Sequence, residues 1–169
     1  MDTDTEAMLD SDRTEASTGL EPISAIELLQ TDHREIEGLF QAYERMSAEH
    51  APDEEKQILA EQICTLLTVH TMIEEEMFYP AARQALKEQG LLDEAEVEHA
   101  CAKELTSQIE SMHPSNRLFD AKLQILGAYV AHHVREEEQA LFPLIEQCGL
   151  DLEQLGQRMN LRKEDLLEA

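Results

Sequence analysis

One phrase occurs twice in this chain. It reads HTMIEEEMFYP over residues 70–80 and HVREEEQALFP over residues 133–143, 63 residues further on. In both copies a His precedes a Glu by four residues, and a Pro follows that Glu by six. The alignment pairs His70 with His133, Glu74 with Glu137, Glu75 with Glu138, Tyr79 with Phe142 and Pro80 with Pro143. Residues four apart lie one turn apart on one face of a helix, so the phrase asks for two helices that present the same pair. His-x-x-x-Glu alone carries little weight here. Glu supplies 27 of the 169 residues, and the spacing also occurs at His33/Glu37, His50/Glu54 and His132/Glu136. The proline sets the register and selects His133 over its neighbour His132.

The rest of the chain supplies helices to match. Ile26, Leu29, His33, Ile36, Phe40 and Tyr43 recur at steps of three and four, the stripe of an amphipathic helix over about 23–47. A link follows, with Asp53 as a candidate N-cap. The second helix carries Leu59, Ile63, Leu66, His70, Ile73 and Met77, and Pro80 is expected to kink or break it. Gly90 reads as a stop after AARQALKEQ. A third helix is expected over 93–112 and a fourth over 117–147, with a short amphipathic helix in 149–169. Six Gly and five Pro are few for a chain of many turns, and no strand pattern competes. The fold expected is all-α: an up-down-up-down antiparallel four-helix bundle over 22–148, with a short C-terminal helix after it. Residues 1–21 are acidic and poor in large apolar side chains, and read as a disordered tail.

Charge narrows the partners. Acids outnumber bases by 37 to 13, a net charge of −24, which repels nucleic acid and anionic membrane. Three scattered Cys with no CxxC suggest free buried thiols in a reducing compartment. The N-terminus lacks the basic and apolar regions of a signal peptide, and no apolar run is long enough to span a membrane. These features together suggest a cytoplasmic location.

Each helix places one His on its apolar stripe: His33, His70, His99 and His133. A buried imidazole with no partner costs on the order of 1–3 kcal/mol, so four of them need a common explanation. His33 and His99 lie early in helices one and three, and His70 and His133 lie late in helices two and four. In an up-down bundle these positions share one level. Two helices with His and Glu at i and i+4 supply two imidazoles and two carboxylates, and the other two helices add one imidazole each. Four His and two Glu suit a pair of metals with open coordination positions. Iron fits best, with manganese or zinc as alternatives.

In sequence order, DHREIEGLFQAYE, HTMIEEEMFYP, VEHACAKEL and HHVREEEQALFP resemble the hemerythrin-like (HHE cation-binding) family over about residues 23–148. The resemblance implies a non-haem diiron centre, with His33, His70, His99 and His133 as terminal ligands and Glu74 and Glu137 as bridges. The dioxygen-carrying hemerythrins of invertebrates have a fifth His four residues after the first His of the third helix. Lys103 stands there in this chain. That departure argues against reversible dioxygen carriage and opens one iron to water, peroxide or nitric oxide. The branch associated with iron–sulfur cluster repair carries the same six residues, often with a Cys-containing N-terminal segment that is not found in this tail.

Three flanking residues are candidates to tune the centre. Glu37 and Lys103, each one turn after a His, could pair with each other; alternatively Glu37 is a third carboxylate ligand, or both are solvated. Tyr129, one turn before His133, either touches the centre or is an ordinary core Tyr. Three functions remain open from the sequence. The first is binding or consumption of small oxidants, including catalase-like or nitric-oxide-related turnover. The second is an iron sensor or store that acts through a protein partner. The third is a metal-free interaction module, which the four core His disfavour.

Overall fold

The computed structural model describes residues 23–169, so the tail expected over 1–21 lies outside the described residues. Seven α-helical segments follow in order: α1 Ala25–Ala48, α2 Asp53–Ile73, α3 Tyr79–Ala85, α4 Gly90–Glu110, α5 Phe119–Glu136, α6 Phe142–Gln147 and α7 Leu152–Glu168. Two five-residue π-helical turns, Glu74–Phe78 and Glu137–Leu141, join α2 to α3 and α5 to α6. The long rods are therefore α1, α2–α3, α4 and α5–α6. α1 packs on α2 and α5, and α4 packs on α5 and α2, which closes the four into a bundle.

Local chemistry explains most of the boundaries. α1 starts at a capping box: the Ser24 hydroxyl accepts from Glu27 N, and the Glu27 carboxylate accepts from Ser24 N, satisfying two free amide donors of the first turn. α2 begins one residue earlier in role than expected. Pro52 occupies the cap position, and Asp53 is the first helical residue rather than the cap. Gly90 does not stop a helix; it is the first residue of α4. The chain breaks earlier, where Leu86 turns extended, and Arg83 spans the break to Gln89, Asp93 and Glu96. Of the three thiols only Cys64 is buried; Cys101 is exposed and Cys148 half-buried.

The prolines do not break the rods. Pro80 and Pro143 lack the N–H an α-helix would use, and their rings would strike the carbonyl four residues back. Each rod widens by one residue just before its proline. Tyr79 N–H bonds Glu74 O, and Phe142 N–H bonds Glu137 O, five residues back in each case. The helix then runs on.

The apolar core falls into two clusters. One gathers Leu28, Leu29, Ile73, Phe78, Leu92, Phe142 and Ile145 with Leu155 and Met159 of α7. The other gathers Ile36, Tyr43, Ile63, Leu67, Ile109, Phe119 and Leu126. A fully buried Phe or Leu contributes about 1.5–3 kcal/mol, so each cluster holds its end of the bundle firmly. The four stripe histidines interrupt the apolar series between them, His33 between Leu29 and Ile36 and His70 between Leu67 and Ile73. At the end far from α7, Asp120 accepts from Tyr43, Ser47 and Lys56, tying α1 and α2 to α5.

Candidate metal centre

His33, His70, His99, His133, Glu74 and Glu137 are all buried and meet at one level between the two apolar clusters. The imidazoles form two pairs. The His33 and His70 ring centroids are 4.9 Å apart, and those of His99 and His133 are 4.7 Å apart. Glu74 spans the pairs: its Oε1 lies 3.3 Å from His70 Nε2 and its Oε2 lies 3.1 Å from His99 Nε2. Glu137 Oε2 lies 3.2 Å from His33 Nε2 and 3.6 Å from His133 Nε2. The atoms of His33, His70, Glu74 and Glu137 could hold one metal ion, and those of Glu74, His99 and His133 a second.

Three of these atoms have no hydrogen-bond partner: His33 Nε2, Glu74 Oε1 and Glu137 Oε2. The contact of His33 Nε2 with Glu137 Oε2 is thus close enough for attraction but does not have hydrogen-bond geometry. Orphaned buried polar atoms are rare and costly. Donors spaced about 3 Å apart that aim at common points are what a metal site requires.

The outer ring nitrogens are satisfied in a repeating way. His70 Nδ1 lies 3.4 Å from Asp32 Oδ2, and His99 Nδ1 lies 2.9 Å from Glu75 Oε1. His133 Nδ1 lies 2.8 Å from Glu98 Oε2, and His33 Nδ1 lies 2.8 Å from Glu138 Oε1. Each rod therefore lends one carboxylate to the histidine of the next: α1 to α2, α2–α3 to α4, α4 to α5 and α5–α6 back to α1. A proton held on Nδ1 leaves the Nε2 lone pair facing inward, the tautomer that metal binding needs. Lys163 of α7 binds the second oxygen of Asp32, and Lys103 binds that of Glu75. Six carboxylates face the cluster against these two lysines, an excess of negative charge that bound cations would offset.

Tyr79 was not legible as a site residue. The widened turn after Glu74 places residue i+5 where an α-helix would place i+4, and this swings the ring onto the site. Its hydroxyl donates to Glu137 Oε1 at 2.9 Å and lies 3.4 Å from Glu74 Oε2, 3.2 Å from His99 Nε2 and 3.4 Å from His133 Nε2. Phe142, the matching residue of the second copy, stacks on His33 with ring centroids 5.9 Å apart and planes 4° from parallel.

The expected pair between Glu37 and Lys103 does not form. Lys103 is taken by Glu75, and Glu37 is exposed and accepts from Gln41. Tyr129 is half-exposed and lines a cavity of about 20 Å³ together with all four histidines, Leu67 and Val130. A space of that size admits a molecule about as large as water. His132 is exposed, at 56 %, and reaches Glu98.

Without metal, the inner groups share charge unevenly. Burial and the facing Glu137 push Glu74 up to about 7. Burial opposes the charge on Glu137, but His33 and the other imidazoles outweigh it and hold it near 2. Burial works against a charged His33, yet Glu137 and Glu74 raise it to about 9. Burial also works against the Asp32 and Glu75 charges, which His70 with Lys163, and Lys103 with His99, hold below the usual carboxylate range. Burial lowers His99. A cation entering the site would displace the protons held on Glu74 and His33.

Comparison with known proteins agrees with this fold. A crystal structure of a hemerythrin HHE cation binding domain-containing protein from Mycobacterium kansasii superposes with a TM-score of 0.70 at 26% identity, covering 85% of this chain and 87% of that one. A protein of Nostoc sp. (strain PCC 7120) named DNA nickase is 33% identical over 119 residues, 70% of this chain. The chain spans only 32% of that relative's length. The family described as "Hemerythrin HHE cation binding domain" matches residues 24–145, and the chain belongs to that family.

Proposed function

We propose that this protein is a non-haem diiron protein that binds or reacts with small oxidants: dioxygen, peroxide or nitric oxide. The observation that carries the reading is the trio of orphaned, inward-facing atoms on His33, Glu74 and Glu137. Imidazole and carboxylate donors with positions left open favour iron over zinc or manganese. Two irons held by His33, His70, His99, His133, Glu74 and Glu137 would supply one- and two-electron chemistry at those open positions.

The chain's own residues set the conditions for that chemistry. The four outer carboxylates fix the imidazole tautomers. The cavity beside the histidines limits access to molecules of a few atoms. The Tyr79 hydroxyl stands next to His99 and His133 and could turn its proton from Glu137 toward an oxygen atom there. Its own proton is tightly held, because burial and the two carboxylates push its pKa well up.

Metal analysis of anaerobically purified protein, with optical spectra before and after air, tests the reading. About two irons per chain and a new near-ultraviolet charge-transfer band are expected. Peroxide should decay faster with the loaded protein than with the metal-free one. A chain that retains no iron overturns the proposal.

A second reading is an iron sensor or store without turnover, read by a protein partner. The contact of α7 with the centre through Lys163 favours it. Loaded and metal-free forms would then differ greatly in protease resistance while peroxide persists. The DNA-directed activity in the Nostoc relative's name does not suit this chain, whose net charge of −24 repels a polyanion. Among the described residues no helix is long and apolar enough to cross a membrane, and we place the protein in the cytoplasm.

A further inference from the structure

We propose that Lys163 on α7 is a positioning residue for His70, acting through Asp32, and that α7 thereby governs retention of one of the two metal ions. The inference rests on the metal-centre reading above.

Asp32 is buried and uses both oxygens. Oδ2 faces His70 Nδ1, and Oδ1 binds Lys163 Nζ. A buried carboxylate needs such partners, and a carboxylate gripped on its far side cannot rotate away from the imidazole. His70 Nε2 is then held toward Glu74 Oε1, 3.3 Å away. The neighbouring Arg162 grips Glu76, two residues past Glu74 in the widened turn, at 2.8 and 3.2 Å. Consecutive residues of α7 therefore hold the group that orients His70 and the turn that carries Glu74.

α7 is seated for this. Leu155 and Met159 join the apolar cluster around Ile73 and Phe78. Gly156 lies so close to the start of α1 that a Cβ there would sit 2.2 Å from Ile23 O. α7 packs on α1, α2 and the turn Glu74–Phe78. The second copy has no counterpart: Glu98, which matches Asp32, meets exposed His132 where Asp32 meets a lysine. The family match ends at residue 145, and α7 starts at Leu152. Lys163 thus lies beyond the residues that the family description matches, and it reaches one metal position only.

The full chain, loaded anaerobically with ferrous iron, is mixed with excess chelator and ion release is followed. Wild type should release both ions slowly. K163M should release one ion about tenfold faster, in line with the usual effect of losing a ligand's outer partner, and leave the other unchanged. K163R should restore retention. D32N should reproduce the loss, and D32N/K163M should add nothing to it. G156A, which unseats α7 without touching a charge, should show the same one-sided release. In an H133A background, which keeps the His33/His70 position, the K163M effect should persist; in an H33A background it should vanish. Wild-type release from K163M, or equal acceleration of both ions, overturns the proposal, with circular dichroism confirming that the variant is folded. A wild-type chain that holds no iron overturns the metal-centre reading first and this inference with it.

Discussion

The two candidate metal positions are built from one repeated design, and they differ in what surrounds them. The His33/His70 position is covered by Phe142, and its outer lysine, Lys163, comes from α7. The His99/His133 position has the Tyr79 hydroxyl at 3.2–3.4 Å from its two ring nitrogens, and its outer lysine, Lys103, comes from α4 itself. Phe142 and Tyr79 are equivalent residues of the repeat, as are Glu37 and Lys103. The repeat supplies the candidate ligands, and two exchanged pairs, together with Lys163, make the two positions inequivalent. One position carries a phenyl ring stacked on His33; the other has a hydroxyl donor at hand. Chemistry on a small ligand is therefore expected at the second position, with the first acting as its partner.

The largest test removes what the positions share. E74A/E137A deletes both groups that span the pairs, and metal content measured by mass spectrometry should fall from about two per chain to background. Next, H33A and H99A should each leave about one ion per chain, because each removes one of two imidazoles from one position. If either emptied both positions, the two sites would be a single unit and the comparison would fail.

A titration comes third. The metal-free fold holds Glu74 at about 7, above its ordinary 4.5, and His33 at about 9, above its ordinary 6.5. Raised folded-state values stabilise below the ordinary pKa, and that stability is lost as pH climbs through the folded value. The metal-free Tm should thus fall between about pH 5 and pH 9. Metal binding needs deprotonated ligands and gains over the same range. The Tm gap between loaded and metal-free protein should therefore widen with pH; a constant gap would show that these groups are not the ligands.

The smallest test exchanges the covers. Y79F should keep two ions but slow peroxide decay about tenfold, below the roughly 10²–10³ of a fully committed donor, because Glu137 shares the Tyr79 proton. F142Y should leave the rate within about twofold of wild type. Equal effects from both would mean that the two positions share the reaction evenly.

The sequence made the rods and the histidine level legible because both depend on the α-helical period. His33 between Leu29 and Ile36 already marks a polar layer in an apolar stripe. Tyr79 escaped for the same reason: the 3.6-residue period puts Phe78 above Glu74, and nothing in the period announces a turn one residue wider. The recurrence of Pro six residues after each Glu was the available signal. Asp32, Glu75, Glu98 and Glu138 were hidden among 37 acids, although Glu75 and Glu138 recur in the repeat and Asp32 and Glu98 both precede a stripe histidine. Lys103 reaches Glu75 rather than Glu37, because position along a helix says little about how far a long side chain reaches sideways. Gly90 opens a helix because Leu86 had already ended the previous one.

The circuit in which each rod steadies the next one's imidazole has a mechanical consequence. A slip of any single rod by one turn would break two links, the one it gives and the one it receives, and so would misalign histidines on both sides of the bundle. Partial opening gains nothing in such a circuit. The level at which the imidazoles meet should therefore come apart in one concerted movement of the bundle rather than by the fraying of one arm.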